Sequence, residues 1–192
     1  MIKNKRGLAK NKILATADKL FYKQGYSYTG IQQIIDEAEV SKTTFYVHFK
    51  SKEELGVTYL QERHHNDIKL FKDGIKNAKT PYGRFMSLVK GLKKWQTSVD
   101  FRGCGFQNII PEITDEKHRM RKVVRYHNDT IRTILKDLCK DLIKSDPKYG
   151  DLDVNEVVDK YYLIVEGAII ASQNYREDWP FRMAVKAVED II

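Results

Sequence analysis

Apolar and polar positions alternate along this chain with the period of helices almost throughout. Between Ala9 and Tyr22, the residues Ile13, Ala17, Leu20 and Phe21 fall at i, i+4, i+7 and i+8, the stripe of an amphipathic helix. Gly25 supplies its stop. Thr29 can cap a second helix, over Ile31–Ala38, whose buried face is Ile31, Ile34, Ile35 and Ala38. Ser41 can cap a third, running to Phe49. Ser51 with Glu54 three residues later forms the S-x-x-E capping box and opens a long helix from Lys52 to Asn77. Pro81 suits the first turn of the next helix, which runs through Phe85, Leu88, Val89 and Leu92 towards Trp95.

Asp100 to Gly105 reads as a loop and Phe106 to Ile113 as a short helix. A long helix is expected over Asp115–Lys144, with Ile131, Ile134, Leu135, Leu138 and Leu142 in rhythm. Asp153 caps another to Asn174, and Trp179-Pro180 starts a last one to Ile192. No segment sustains period-two alternation and no internal repeat is evident. The expected fold is therefore all-α, with about nine helices.

Charge changes this picture more than composition does. The chain has 192 residues, 42% of them hydrophobic, enough for a real core. Its formal net charge is +8, and residues 1–52 hold nine Lys and one Arg against Asp18, Asp36, Glu37 and Glu39, a net +6. A strongly basic end on a nearly balanced body points to a polyanion-binding module; a merely solvated lysine-rich face is the plainer alternative. No apolar run approaches the ~18 residues of a membrane span. Asp18 and Lys19 fall where a secretory apolar region would lie, so the expected location is the cytoplasm. The two cysteines, Cys104 and Cys139, make neither a disulfide framework nor a C-x-x-C pattern.

Two short helices joined by a tight turn, Ile31–Ala38 and Ser41–Phe49, suit a helix-turn-helix. Phe45 and Phe49, four apart, can pack inward, leaving Lys42, Thr43, Thr44, Tyr46 and His48 outside for a major groove. Lys52, at a helix start, adds charge where phosphate would be held. The run from Thr29-Gly30-Ile31-Gln32-Gln33-Ile34 through Ser41-Lys42-Thr43-Thr44-Phe45-Tyr46-Val47-His48-Phe49 to Glu54-Leu55 resembles the DNA-binding signature of the TetR family of transcriptional repressors. Ala17, Leu20, Phe21, Gly25 and Tyr26 are similar to the family's first helix, so the likeness covers residues 9–56.

The resemblance implies a DNA-binding domain over 1–52 and a ligand-binding and dimerisation domain over 53–192. It implies phosphate contacts from Thr29, His48 and Lys52, and base or backbone contacts from Thr43, Thr44 and Tyr46. Thr43 and Val47 depart from the residues the family usually has there. The implied activity is repression of palindromic operator DNA by a homodimer, lifted by a small-molecule inducer, with no cofactor and no membrane partner.

In the body, Gly167, Ala168, Ala171 and Ser172 are small residues that let another helix approach. Ile164, Val165, Met183, Val185 and Val188 could complete an apolar seam. The family's last two helices form its dimer interface, and these segments look like them; packing within one subunit is the alternative. The rings of Tyr82, Phe85, Trp95, Phe101, Phe106, Tyr126, Tyr161, Tyr162 and Tyr175 could line a ligand cavity or be ordinary core. The stretch from Arg102 to Asn108 resembles a Gly-Cys segment found near the pocket in part of the family. That adds Gln107 and Asn108 as polar pocket groups, beside Cys104.

Cys104, next to Arg102 and between two glycines, raises a further possibility, a redox or electrophile sensor; Cys139 reads as a core thiol. His64 and His65 point about 100° apart on a helix and cannot readily share one metal ion. With no H-E-x-x-H, G-x-S-x-G, P-loop or G-x-G-x-x-G motif, an enzyme is disfavoured. An all-α enzyme or carrier with a basic arm is the remaining alternative class.

Overall fold

The computed structural model describes the backbone of residues 2–192 and the side chains from Gly7 onward. Among the described residues there are nine α-helices and no strand. They are α1 (Ile2–Gln24), α2 (Ile31–Glu37), α3 (Lys42–His48), α4 (Lys52–Asn77), α5 (Pro81–Ser98), α6 (Gly105–Ile109), α7 (Arg119–Ser145), α8 (Val154–Tyr175) and α9 (Trp179–Glu189). Two 3-10 turns, Ile110–Glu112 and Pro147–Tyr149, complete the regular elements.

Helix starts follow local chemistry. The Ser41 hydroxyl accepts the Thr44 N–H at 3.1 Å, and Thr80 accepts the Gly83 N–H at 3.0 Å ahead of Pro81. Asp153 accepts the Glu156 N–H at 2.8 Å. The capping box opening α4 is displaced by one residue on its return arm. Ser51 accepts the Glu54 N–H at 3.1 Å, while Glu54 reaches back to the Lys50 N–H at 2.8 Å.

Several boundaries differ from expectation, α9 ending at Glu189 rather than Ile192 among them. Gly30, not Thr29, is the N-cap of α2, because the Thr29 hydroxyl donates instead to the Gly25 carbonyl at 2.7 Å. α7 starts at Arg119 rather than Asp115, since Asp115 accepts the Lys117 N–H at 2.9 Å and holds its own local turn. The helix expected over Phe106–Ile113 divides into α6 and a 3-10 turn at Pro111, whose nitrogen has no hydrogen to donate.

The chain forms two compact units, residues 1–65 with 105–126 and residues 66–104 with 127–192. In the first, Ile13, Ala17, Leu20 and Phe21 of α1 are buried, as are Ile34 and Ile35 of α2 and Phe45 of α3. Phe21 meets the rings of Tyr26 and Tyr59 edge-on at 5.1 and 5.4 Å. Gly56 of α4 is a close-approach position, because a Cβ there would lie 2.6 Å from the Met120 sulfur and 3.0 Å from the Tyr26 ring.

The second unit has its own core from α5, α7, α8 and α9, including Phe85, Val89, Leu135, Leu142, Val158 and Phe181. Two polar side chains are satisfied inside it. The Tyr161 hydroxyl donates to the Phe85 carbonyl at 3.0 Å and accepts the Val89 N–H at 3.1 Å. Gln96 donates to Ser172 at 2.8 Å and accepts the Gly103 N–H at 3.0 Å.

Candidate nucleic-acid interface

α3 is seven residues long, and its faces divide sharply. Phe45 and the following Phe49 are 0% and 2% exposed, their rings 6.2 Å apart. Lys42, Thr43, Tyr46 and Val47 are exposed, and Thr44 and His48 half-buried. Aromatic positions four apart therefore anchor one side and turn a polar edge outward. Tyr46, 39% exposed, leans its ring edge-on against Phe45 at 5.3 Å, which restricts it. The Thr44 hydroxyl lies 2.8 Å from that of Ser41, so the cap also fixes this side chain.

Lys52, half-buried, donates to the Ser27 carbonyl at 3.3 Å, and its ammonium sits 4.4 Å above the Tyr26 ring. Burial pushes its pKa down, and the Glu112 charge pushes it back up. Burial also raises the Tyr26 phenol to about 12, helped by the charges of Glu53 and Glu112.

Thr29 differs from the other DNA-contact candidates. It is fully buried, and its hydroxyl also accepts from Gln24 Nε2 at 3.2 Å, so its oxygen serves the α1–α2 connection. Among the large apolar side chains of this region, Tyr28, just ahead of α2, is 87% exposed and Val47 is 49% exposed.

The ligand candidates are divided between the units. Phe106, Gln107, Asn108 and Tyr126 belong to the first, and Phe85, Trp95, Cys104, Tyr161 and Tyr162 to the second. Phe85 and Tyr161 are core, with rings 5.0 Å apart, and burial raises the Tyr161 pKa strongly. Phe106 is buried, while Tyr126 is exposed with its ring 4.9 Å from that of His64. Trp95, Cys104, Gln107, Asn108 and Tyr162 are half-buried. A cleft of about 410 Å³ in the second unit is lined instead by Tyr82, Lys148, Tyr149, Glu189 and Ile192. There the Tyr82 hydroxyl donates to Glu189 at 2.8 Å.

The interface candidates on α8 and α9 also separate. Ala168 and Val188 are buried in their own unit's core, whereas Gly167 and Met183 are exposed and Ile164 and Ala171 half-buried. Leu163, Ile170, Tyr175 and Trp179 extend the exposed apolar set on these helices.

Residues 13–56 match the family model described as bacterial regulatory proteins, tetR family. An HTH-type transcriptional regulator from the lacX 3' region of Lactococcus lactis is 26% identical over 119 residues, 59% of each chain. The HTH-type transcriptional repressor NemR of Escherichia coli is 42% identical over 53 residues, 28% of this chain and 26% of NemR. These matches span less than two thirds of either relative. Over nearly whole chains the similarity is one of fold. A TetR-family transcriptional regulator from Streptomyces coelicolor superposes with a TM-score of 0.87 at 23% identity, covering 96% of this chain and 94% of that one. Reduced E. coli NemR superposes with a TM-score of 0.80 at 20% identity, covering 96% and 97%.

Proposed function

We propose that this chain, whose residues 13–56 match the tetR family model, is a ligand-responsive repressor of that family, binding palindromic operator DNA as a homodimer. α3 enters the major groove, with Lys42, Thr43, Thr44, Tyr46 and His48 along the groove and Lys52 on a phosphate. The observation that carries this reading is the two-sidedness of α3, with phenylalanines buried and tyrosine, threonine and lysine exposed. One such helix gives mainly salt-dependent attachment, and two at fixed spacing give a defined site. The exposed apolar residues of α8 and α9, Leu163, Ile170 and Met183 among them, are the surface on which a second copy docks. An inducer acts from the C-terminal helices in the cytoplasm, and shifts occupancy only as far as it prefers the state that does not bind DNA.

Selection of random duplexes by the pure protein tests the reading. The expected product is an inverted repeat whose half-sites lie about one helical turn, or a multiple of it, apart. Absence of any enriched sequence would overturn it and favour an enzyme or carrier with a basic arm.

A second reading routes the signal through Cys104, which is half-buried rather than enclosed in the core. Loss of oxidant-induced DNA release in Cys104→Ser supports that route; full release in the variant removes it.

A further inference from the structure

The connection between α1 and α2 is held by a residue distant in the chain. Glu112, in the 3-10 turn after α6, accepts the Tyr26 N–H at 3.2 Å on one carboxylate oxygen and the Ser27 N–H at 2.6 Å on the other. Gly25, with φ of +102°, makes the approach possible, since a Cβ there would lie 3.1 Å from the first of these oxygens. The same two residues carry Lys52. Its ammonium bonds the Ser27 carbonyl and sits over the Tyr26 ring. Glu112 thus grips the N–H side of a dipeptide whose carbonyl and ring seat the lysine.

The grip is itself supported. Arg121 Nη1 donates to the Ile113 carbonyl at 2.6 Å, directly behind Glu112. Glu53, beside Lys52, accepts the Arg119 N–H at 3.3 Å and lies 3.9 Å from His118 Nδ1. An ionised carboxylate taking two N–H groups is about twice as strong per bond as a neutral acceptor. Because Lys52 is a long, flexible side chain, fixing its seat removes entropy that DNA binding would otherwise have to remove.

We propose that Glu112 is a positioning residue for DNA binding, clamping Tyr26 and Ser27 so that Lys52 is held ready for phosphate. Operator affinity then depends on where the 3-10 turn sits, although no atom of that turn need touch DNA. The inference rests on Lys52 being a phosphate contact.

The test combines amide hydrogen exchange with a double-mutant cycle on operator binding by the full chain. In Glu112→Ala and Glu112→Gln, exchange at Tyr26 and Ser27 is expected to accelerate about 10-fold or more. Glu112→Ala should weaken operator binding about 10-fold and make the salt dependence shallower, as Lys52→Ala does. In the Lys52→Ala background, Glu112→Ala should cost no more than about 2-fold. Glu112→Gln keeps one acceptor oxygen and serves if the alanine variant fails to fold. Unchanged exchange, or equal losses in both backgrounds, would overturn the clamp while leaving the lysine's own role intact. If Lys52→Ala leaves affinity and salt slope unchanged, the phosphate contact falls, and the positioning role falls with it.

Discussion

The edge of α3 and the aromatic interior around Tyr161 both consist of rings interleaved with polar groups, yet they serve opposite ends. On α3 the apolar rings of Phe45 and Phe49 are buried, and Tyr46 is exposed. Around α5 and α8 the polar ring itself is enclosed, and both hydrogen bonds of the Tyr161 hydroxyl go to the backbone of α5. The difference teaches that a tyrosine's role follows from where its hydroxyl finds partners. An enclosed hydroxyl bonded to backbone is a brace; one left at the surface is available for recognition.

Breaking the brace should give the largest effect. Tyr161→Ala removes a fully buried ring and both bonds, and is expected to destabilise the protein by about 3–5 kcal/mol in denaturant unfolding. Tyr161→Phe keeps the ring and should cost about 1–3 kcal/mol, isolating the hydroxyl's share. Next comes the exposed apolar face. Leu163→Asp is expected to convert a dimer to monomer by sedimentation and to lower operator affinity about 100-fold, since single heads attach weakly. On the recognition side, Tyr46→Ala should leave the unfolding midpoint nearly unchanged and cost about 1–3 kcal/mol in specific DNA binding. A Tyr46 variant that unfolds early, or a Tyr161 variant that does not, would erase the contrast. The smallest effect is expected from Ser41→Ala, about 1 kcal/mol of stability through loss of the α3 cap, read by thermal unfolding.

Legibility in the sequence followed the range of the interaction. Ser41 and Asp153 announce helix starts because a cap bonds only two or three residues ahead. The inward positions of α3 were legible because Phe45 and Phe49 leave no other side to bury. Thr29 misled because its hydroxyl had a competing acceptor, the Gly25 carbonyl, which only the folded turn presents. On α8, spacing shows which residues share a side but not which side faces the core. Hence Ala168 sits inside while Leu163 and Ile170 are exposed. The aromatic body was least legible, because composition alone does not separate a lined cavity from packed rings. The bond from Ser27 to Glu112 spans too much chain for any local pattern to betray it.

The bare backbone of Gly56 against the Met120 thioether carries a lesson for natural variation. A side chain gained on α4 at this point meets the Met120 thioether and the Tyr26 ring, so one of them must shift or shrink to admit it. In diverged relatives that keep this contact, a side chain in place of Gly56 should come with less bulk at one of those two neighbours.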